Sequence, residues 1–238
     1  MSTVISEKLI INGVGSEVVL DGFDFTGNGY VEVNNASSVV IKNCRIYGIV
    51  PVAAKSFWLR VYNDIPVKLV VENCFFGSNP ASGSNKMYNL FEPYAKLEKG
   101  SSFSNNYFKA DCCTHNICNI YGCVDGAFVN VNGNHFELNN AVRIGVKGDV
   151  KCTINMRDNI IDANDPAGSP TYDGIACIQP YNKQTTSFAS MKVVLSGNTL
   201  PEGQIIYAYS GSADTMMDET TIPEVIVNGK LIELPIYH

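Results

Sequence analysis

Apolar residues recur at fixed positions in an eight-residue segment that appears several times along the chain. The clearest copies are VVIKNCRI at 39–46, LVVENCFF at 69–76 and VNVNGNHF at 129–136. In each copy, positions one, three and eight are apolar and position six is Asn or Cys. Four further segments follow the same pattern with small departures: 18–25, 101–108, 154–161 and 193–200. Seven copies of one segment, called the repeat below, indicate a repeat protein.

The spacing inside the repeat predicts a strand, a tight bend and a second strand. Apolar residues two apart point to the same side of a β-strand. Asn tolerates left-handed backbone conformations better than β-branched residues do, so we expect the sixth residue to adopt one at the bend. The sixth residues, in chain order, are Phe23, Cys44, Cys74, Asn106, Asn134, Asn159 and Asn198.

A third short strand is expected after each copy of the repeat. Segments of strand-like composition occur at 30–33, 57–62, 89–92, 118–121, 141–146, 174–179 and 204–209. Three short strands repeated about seven times are typical of a parallel β-helix, in which each coil stacks on the previous one. With strands about 4.8 Å apart, seven coils would extend about 34 Å.

The Asn-bearing bend after an apolar strand resembles the asparagine ladder of right-handed parallel β-helix proteins in the pectin-lyase-like superfamily. The resemblance covers residues 16–210. It implies an all-β, single-domain right-handed parallel β-helix of about seven coils with a C-terminal capping hairpin. Because that superfamily includes pectate lyases, polygalacturonases, phage tailspikes and non-enzymatic virion components, the resemblance alone does not specify a function.

The motifs of the pectin-degrading members are not matched as a set. Of the polygalacturonase pattern Asn-Thr-Asp, Asp-Asp, His-Gly and Arg-Ile-Lys, Arg143-Ile144-Gly145 agrees with only part of the last motif. Glycosidases need two carboxyl groups about 5 to 10 Å apart, and calcium-assisted lyases need clustered carboxylates. Neither arrangement is evident on the predicted working surface described below, so no catalytic residue is predicted.

The chain is expected to divide into three segments. They are an N-terminal cap at 1–15, the β-helix at 16–212 and a C-terminal hairpin or docking segment at 213–238. Asn228-Gly229 between two apolar runs is a strong signal for a hairpin. Caps are expected at both ends because an open coil exposes unpaired strand edges.

Equivalent side chains at position six are expected to form a structural ladder along the stack. Asn amides on successive coils can hydrogen-bond to one another and satisfy polar groups that are otherwise buried. A coil spacing of about 4.8 Å would also suit a disulfide between Cys44 and Cys74, since the usual Cα separation is about 4.4 to 6.8 Å. Two packed thiols are the favoured alternative, because the sequence shows no secretory signal.

The sheet built from the third strands is the predicted working surface, because long insertions flank it and loops on a rigid scaffold often carry function. Strand alternation in Phe57–Tyr62 is expected to turn Phe57 inward and Trp58 outward. The candidate residues for binding a glycan or a partner are Trp58, Arg60, Tyr62, Glu92, Asn119, Tyr121 and Arg143. The same strip also suits an ordinary solvated sheet face or a subunit contact.

Charge and hydropathy narrow the expected partners. Seventeen basic and 23 acidic residues give a net charge of −6, and no run of basic residues occurs. Nucleic-acid binders draw much of their affinity from Lys and Arg, so nucleic acid is not an expected partner. The first residues lack the apolar core of a signal peptide, and no apolar segment is long enough to span a membrane. Neither secretion nor insertion into a membrane is therefore expected.

One segment is rich in residue types that bind metal. It contains Cys112, Cys113, His115 and Cys118, with Cys123 shortly after. Thiolates with an imidazole are common zinc ligands, but no Cys-x-x-Cys pair is present and strand alternation would turn Cys118 into the core. Core thiols are therefore the favoured interpretation and zinc the alternative, and neither a metal nor a cofactor is predicted.

These features favour a non-enzymatic structural protein, and a bacteriophage virion component such as a capsid decoration or tail-associated protein is the leading hypothesis. It would be made in the host cytoplasm and located in the virion, with other virion proteins or copies of itself, such as a trimer, as partners. The alternative is a carbohydrate-active β-helix enzyme or glycan-binding module acting on an acidic polysaccharide.

Overall fold

The computed structural model of this 238-residue chain is all-β, as predicted. It describes residues 2–49, 57–77, 89–109, 112–113, 117–120, 122–138, 142–146, 151–163, 174–180, 190–209, 223–234 and 236–237. Every element assigned within these ranges is a β-strand.

The strands form three sheets. In spatial order, the first sheet contains β1 (Thr3–Ile5), β4 (Phe23–Gly27), β7 (Arg45–Ile49), β10 (Phe75–Phe76), β13 (Tyr107–Phe108), β16 (His135–Leu138) and β19 (Ile160–Ala163). The second contains β2 (Leu9–Asn12), β5 (Val31–Asn34), β8 (Phe57–Tyr62), β11 (Asn89–Tyr94), β14 (Cys118–Ile120), β17 (Val142–Val146), β20 (Gly174–Pro180), β22 (Ile205–Tyr209) and β25 (Ile236–Tyr237). The third contains β3 (Glu17–Asp21), β6 (Ser38–Lys42), β9 (Lys68–Glu72), β12 (Ser101–Ser104), β15 (Ala127–Asn132), β18 (Cys152–Arg157), β21 (Lys192–Ser196), β23 (Glu224–Val227) and β24 (Lys230–Ile232).

From β1 to β21 the chain visits the first, second and third sheets in strict rotation. Neighbouring strands in a sheet are therefore three elements apart over this part of the chain, and they pair in parallel. Equivalent positions of successive repeats are in register, as in the pairs Val39 with Leu69 and Val129 with Ile154. This arrangement of parallel sheets is compatible with the predicted β-helix.

The apolar positions of the repeat form the core between the sheets. Val39, Ile41, Leu69 and Val71 are fully buried, because positions one and three both face the interior. Position eight holds Phe76, Phe108 and Phe136, whose rings stack in series with centroids 4.8 Å apart and planes 6° from parallel. Each such aromatic contact adds about 0.5 to 1.5 kcal/mol to the stabilisation that burial provides.

The asparagines at position six form a continuous hydrogen-bonded ladder. The Oδ1 atom of Asn134 accepts hydrogen bonds from the backbone N–H and the side-chain Nδ2 of Asn106, both at 3.0 Å. Its own Nδ2 donates to the carbonyl of Phe103 at 2.9 Å and to Oδ1 of Asn159 at 3.0 Å. All four hydrogen-bonding positions of this buried amide are therefore used. Asn198 continues the pattern beyond Asn159.

Thiols extend the ladder at the two preceding repeats. The backbone N–H of Cys74 donates to Oδ1 of Asn106 at 2.9 Å. The thiol of Cys44 lies 3.5 Å from the Leu20 carbonyl, and that of Cys74 lies 3.8 Å from the Ile41 carbonyl. These carbonyls are equivalent to the one that accepts from the Asn134 amide. Both cysteines are buried and free, in agreement with the favoured thiol alternative.

The left-handed residue of each bend is the fifth of the repeat, so the prediction that it would be the sixth was wrong by one position. The fifth residues, which have φ angles between +54° and +75°, are Gly22, Asn43, Asn73, Asn105, Gly133, Asp158 and Gly197. Only Gly, Asn and Asp occur there, and these are the residue types that adopt this conformation at lowest cost. The sixth residue instead directs its side chain along the ladder.

The strands at the two ends differ in how they pair. At one end, β1 pairs in parallel with β4 and β2 pairs in parallel with β5. At the other end, β23 and β24 form an antiparallel hairpin. Its turn residues Asn228 and Gly229 have φ angles of +48° and +80°, as a two-residue type I′ turn requires.

Replacing a ladder asparagine is expected to destabilise the fold strongly. In Asn134→Ala, the Asn106 backbone N–H loses its acceptor, the Phe103 carbonyl loses the amide that donates to it, and Oδ1 of Asn159 keeps only the backbone N–H of residue 134, at a cost of about 3 kcal/mol or more. The control is Asn130→Ala on the outer side of β15, where the side chain makes one hydrogen bond to Asn155 at 3.1 Å. Urea unfolding of both variants measures the difference, and equal destabilisation would contradict the ladder's role.

A substitution series at a fifth position tests the left-handed bend. Asn73 has a φ of +54°, so Asn73→Gly should leave stability nearly unchanged. Asn73→Ala should cost about 1 kcal/mol and Asn73→Val more, because a Cβ, and above all a branched one, is disfavoured in this region. Thermal unfolding of the three variants gives the ranking, and a valine variant as stable as the glycine variant would refute it.

Candidate functional site

The predicted working surface corresponds to the outer face of the second sheet. Glu32, Arg60 and Glu92 are paired in register on β5, β8 and β11, so they form one row across three strands. Tyr62 and Tyr94 form a second row, two residues further along the same strands. Of the predicted site residues, Arg60, Tyr62 and Glu92 lie in these two rows, and Glu32 and Tyr94, which were not predicted, lie beside them.

Arg60 is the centre of this group. Its Nε lies 3.5 Å from Oε2 of Glu92, and its Nη1 donates to the hydroxyl of Tyr62 at 2.7 Å. The guanidinium carbon lies 3.4 Å from the ring centroid of Phe57, so the guanidinium stacks on that ring. Aromatic stacking and an ion pair together hold this side chain in one position.

Glu92 is on the outer side of the sheet but only 2% exposed, so the prediction of an accessible carboxylate was wrong. Besides the ion pair with Arg60, its Oε2 accepts a hydrogen bond from the hydroxyl of Tyr94 at 3.1 Å. A buried carboxylate is tolerated when it is paired with a cation and hydrogen-bonded. Its contacts therefore make Glu92 part of the packed structure.

Trp58 was expected to face outward, but its side chain is fully buried. Its ring makes edge contacts with Phe25, Phe76 and Phe91 at centroid distances of 5.1 to 5.9 Å. The alternation of β8 is broken because Trp58 and Leu59 both face the core, while Phe57 lies under Arg60 on the outside. Turning the large indole of Trp58 inward buries more apolar surface than the regular alternation, with Trp58 on the outside, would bury.

The two tyrosines of the second row stack on each other. The rings of Tyr62 and Tyr94 are 5.2 Å apart and 3° from parallel. Sugar rings bind aromatic side chains through the ring face, and here each tyrosine presents one face to the other. This pair therefore stabilises neighbouring strands and does not offer an open stacking platform between the two rings.

The remaining predicted residues lie toward later strands. Cys118 pairs with Phe91, which places Asn119 at the register position beside Glu92. Asn119 pairs with Gly145, whereas Arg143 pairs with Ala176 two positions earlier along the strand. The backbone register therefore does not bring Arg143 into the row of Arg60 and Glu92. Tyr121 lies outside the described residues.

A second ion pair occurs at the other end of the charged row. Lys8 Nζ lies 2.7 Å from Oε2 of Glu32 and also approaches the ring of Tyr30, with 5.4 Å to its centroid. The hydrogen bond to Glu32 raises the pKa of Lys8. Both glutamates that flank Arg60 in register therefore have a cation beside them.

The cysteine-rich segment contains packed thiols. Cys112, Cys113 and Cys118 are buried thiols, and burial raises the pKa of the Cys118 thiol. His115 is outside the described residues. Within the described ranges, no group of three or more His, Cys, Asp or Glu residues has a geometry that suits a metal ion.

A cleft of about 290 Å³ lies where β8 and β11 end, beside the tyrosine row. Its lining residues are Asn63, Asp64, Ile65, Pro66, Tyr94, Ala95 and Lys96. Sequence analysis missed it because it is formed by a corner and not by a sheet face. Its mixture of one carboxylate, one ammonium group and one aromatic ring suits a small polar ligand.

The outer face of the first sheet is a further surface that the sequence analysis missed. Position seven of the repeat places Arg45, Phe75, Tyr107 and His135 side by side in register, and Ile160 follows. The signal was present in the repeat, since position seven lies between the ladder residue and the inward position eight and must therefore face outward.

No segment of the described chain forms a helix that could cross a membrane. A scan against protein-family models finds no match to this chain. Comparisons with curated proteins and with solved structures also find no match.

The two ion pairs of the second sheet should differ in their effect on stability. Glu92→Gln leaves the mostly buried Arg60 without its anion and should cost about 2 to 4 kcal/mol. Glu32→Gln breaks the more exposed pair with Lys8, whose side chain is 36% exposed, and should cost less than about 1 kcal/mol. Denaturant unfolding measures both values, and a larger loss for Glu32→Gln would contradict the assigned burial.

Proposed function

We propose that this chain is a non-enzymatic structural protein and serves as a bacteriophage virion component, either a capsid decoration protein or a tail-associated protein. In this proposal its body is a single right-handed parallel β-helix of about seven coils with a C-terminal capping hairpin. The rotation of the chain through three parallel sheets supports that architecture, and crossovers between parallel strands are right-handed in nearly all proteins.

The proposal that the protein is not an enzyme rests on the pairing of charges on the second sheet. Glu92 is bound by Arg60 and Tyr94, and Glu32 is bound by Lys8. A catalytic carboxylate has to exchange a proton or attack a bound substrate, which requires access to that substrate. A buried glutamate that is held by an arginine and a tyrosine is suited to stabilising the sheet instead.

The virion part of the proposal rests on the resemblance of the ladder repeat to β-helix proteins of that class. A chain whose ladder amides are hydrogen-bonded and whose core aromatic rings are packed within the fold is rigid. A rigid chain can bind to a larger particle without losing conformational entropy on binding. Other virion proteins or further copies of the chain, in a trimer for example, are the proposed partners, and the virion is the proposed location.

Binding of a glycan is the second candidate, and the cleft at the ends of β8 and β11 favours it. Tyr94, Asp64 and Lys96 offer an aromatic surface and both signs of charge in a space of about 290 Å³. Recognition there requires no catalytic carboxylate, so a binding module is the form of the alternative that these residues support best.

The proposal is tested by locating the protein and by assaying turnover. Quantitative mass spectrometry of purified phage particles should find the chain at a fixed stoichiometry relative to the major capsid protein.

The purified protein should release no reducing or unsaturated ends from a panel of acidic polysaccharides on which a known lyase is active. Turnover that is lost in Glu92→Gln but retained in Glu32→Gln would overturn the proposal.

The glycan alternative has its own test. Binding of fluorescent acidic oligosaccharides should be measured for the native chain, for Lys96→Ala in the cleft and for Lys99→Ala in the nearby exposed turn. Saturable binding that is weakened roughly tenfold by the first substitution and not by the second would replace the structural proposal with a glycan-binding module.

A further inference from the structure

All three sheets have an unpaired edge at the same end of the stack. β1, β2 and β3 are the outermost strands of their sheets there, and each is paired on one side only, with β4, β5 and β6 respectively. Among the described residues, no strand lies against their other side. Because the chain visits the sheets in rotation, these three edges surround the core. The surface that they form is called the open end below.

The hydrogen bonds of β1, β2 and β3 show which backbone groups face outward at the open end. In β2, the N–H groups of Leu9 and Gly13 donate to carbonyls on the β5 side at 2.8 Å. The residues that alternate with them therefore direct their N–H and C=O groups away from β5. The same alternation in all three strands gives the residues with outward backbone groups, which are Thr3, Ile5, Ile10, Asn12, Glu17, Val19 and Asp21.

The apolar core is also uncovered at the open end. Leu9 and Ile11 are in register with Val31 and Val33, so their side chains face the core. Val31 and Val33 are 0% exposed, but Leu9 and Ile11 are only partly buried. The two pairs differ because β5 has a strand on each side and β2 has a strand on one side only. Apolar core surface is therefore left in contact with water.

The opposite end of the stack is protected at the third sheet. There the antiparallel hairpin of β23 and β24 completes the sheet, and Lys230 lies on its outermost strand. The apolar residues Val225 and Leu234 are only 1% and 7% exposed. Short edge strands and lysines are devices that discourage further strand pairing. β1, β2 and β3 contain no lysine and no proline, so the open end lacks this protection.

We propose that the open end binds the open end of a second copy of the chain. A two-fold axis perpendicular to the stack places the two ends against each other and makes every edge strand antiparallel to a strand of the partner. The outward N–H and C=O groups then form about ten hydrogen bonds between the copies, as many as a typical interface contains. Leu9 and Ile11 of both copies become buried where the two cores meet.

The arrangement of the edges selects a second copy as the occupant. A single extended peptide pairs with one edge and leaves the other two edges and the core uncovered. A complete cover has to present three strand edges around an apolar centre, and the open end of a second copy has this arrangement. The opposite end of the stack does not, because its hairpin already covers the core, so the association stops at a dimer and does not continue into a filament.

Charges near the open end do not oppose this contact. Lys8 is paired with Glu32, and Asp21 is paired with Lys42. Antiparallel strands also pair slightly more stably than parallel ones. The dimer is a property of the open end and does not depend on a location in the virion.

A lysine placed inside the open end tests the interface. In an Ile11→Lys monomer, the ammonium group can reach water through the uncovered end, so the variant should fold. In the dimer the same charge would be buried between two apolar cores, so self-association should weaken at least roughly a hundredfold. The matched control is Phe128→Lys, which adds the same charge at an exposed apolar residue on the central strand of the third sheet and should leave self-association unchanged.

Sedimentation equilibrium measures these affinities, with any purification tag at the C-terminus so that nothing is added next to β1. The native chain and Phe128→Lys should dimerise in the micromolar range, and circular dichroism establishes that each variant is folded. A native chain that stays monomeric in this range, or that grows into species larger than a dimer, would contradict the proposal. An Ile11→Lys variant that dimerises as tightly as the native chain would also contradict it.

Hydrogen exchange of the native chain locates the interface without any substitution. The outward amides of Ile10 and Val19 should exchange slowly at concentrations where the dimer forms and rapidly after dilution to the monomer. The amide of Leu9, which is bonded to the Tyr30 carbonyl within the chain, should change much less. Residue-resolved exchange rates at the two concentrations give the comparison, and outward amides whose rates do not depend on concentration would refute the assigned surface.

Discussion

The central constraint on this structure is that an amide buried between stacked strands must have all of its hydrogen bonds satisfied. Asn134 meets this requirement only because Asn106 and Asn159 lie one strand spacing away on either side and the Phe103 carbonyl faces it. A slip of one residue in any repeat would turn the amide out of line and leave several buried groups without partners. The ladder therefore determines the register of all three sheets, and the core positions follow from that register.

The sequence was informative wherever a residue's position follows from the repeat. The strand, bend and strand of each copy and the Asn-Gly hairpin turn were predictable, because period-two apolar spacing and turn chemistry are local properties. The inward side chain of Trp58 and the burial of Glu92 were not predictable, because both depend on contacts between strands that are about thirty residues apart. The shift of the left-handed residue to position five was present in the sequence as a column of Gly, Asn and Asp, but the more conspicuous Asn at position six obscured it.

The outer faces of the first and second sheets both place opposite charges on neighbouring strands. On the second sheet, Arg60 lies between Glu32 and Glu92 in register, and the glutamates are paired within the chain. On the first sheet, Arg45 is paired in register with Asp24, and Lys109 Nζ lies 3.9 Å from Oε1 of Glu137. Opposite charges on neighbouring strands stabilise the pairing of those strands on both faces.

The two thiols in the ladder have a consequence for how the structure comes apart. A thiol has one donor, so Cys44 and Cys74 cannot form the four bonds that each central asparagine forms, and a bond to sulfur is weaker than one to oxygen. In a stacked array, stability is approximately the sum of the contributions of each unit and of its contacts with its neighbours. The repeats that contain the cysteines are then the weaker part of the stack. Unfolding by force or by heat is expected to begin in these repeats, and the repeats that carry the ladder asparagines should unfold last.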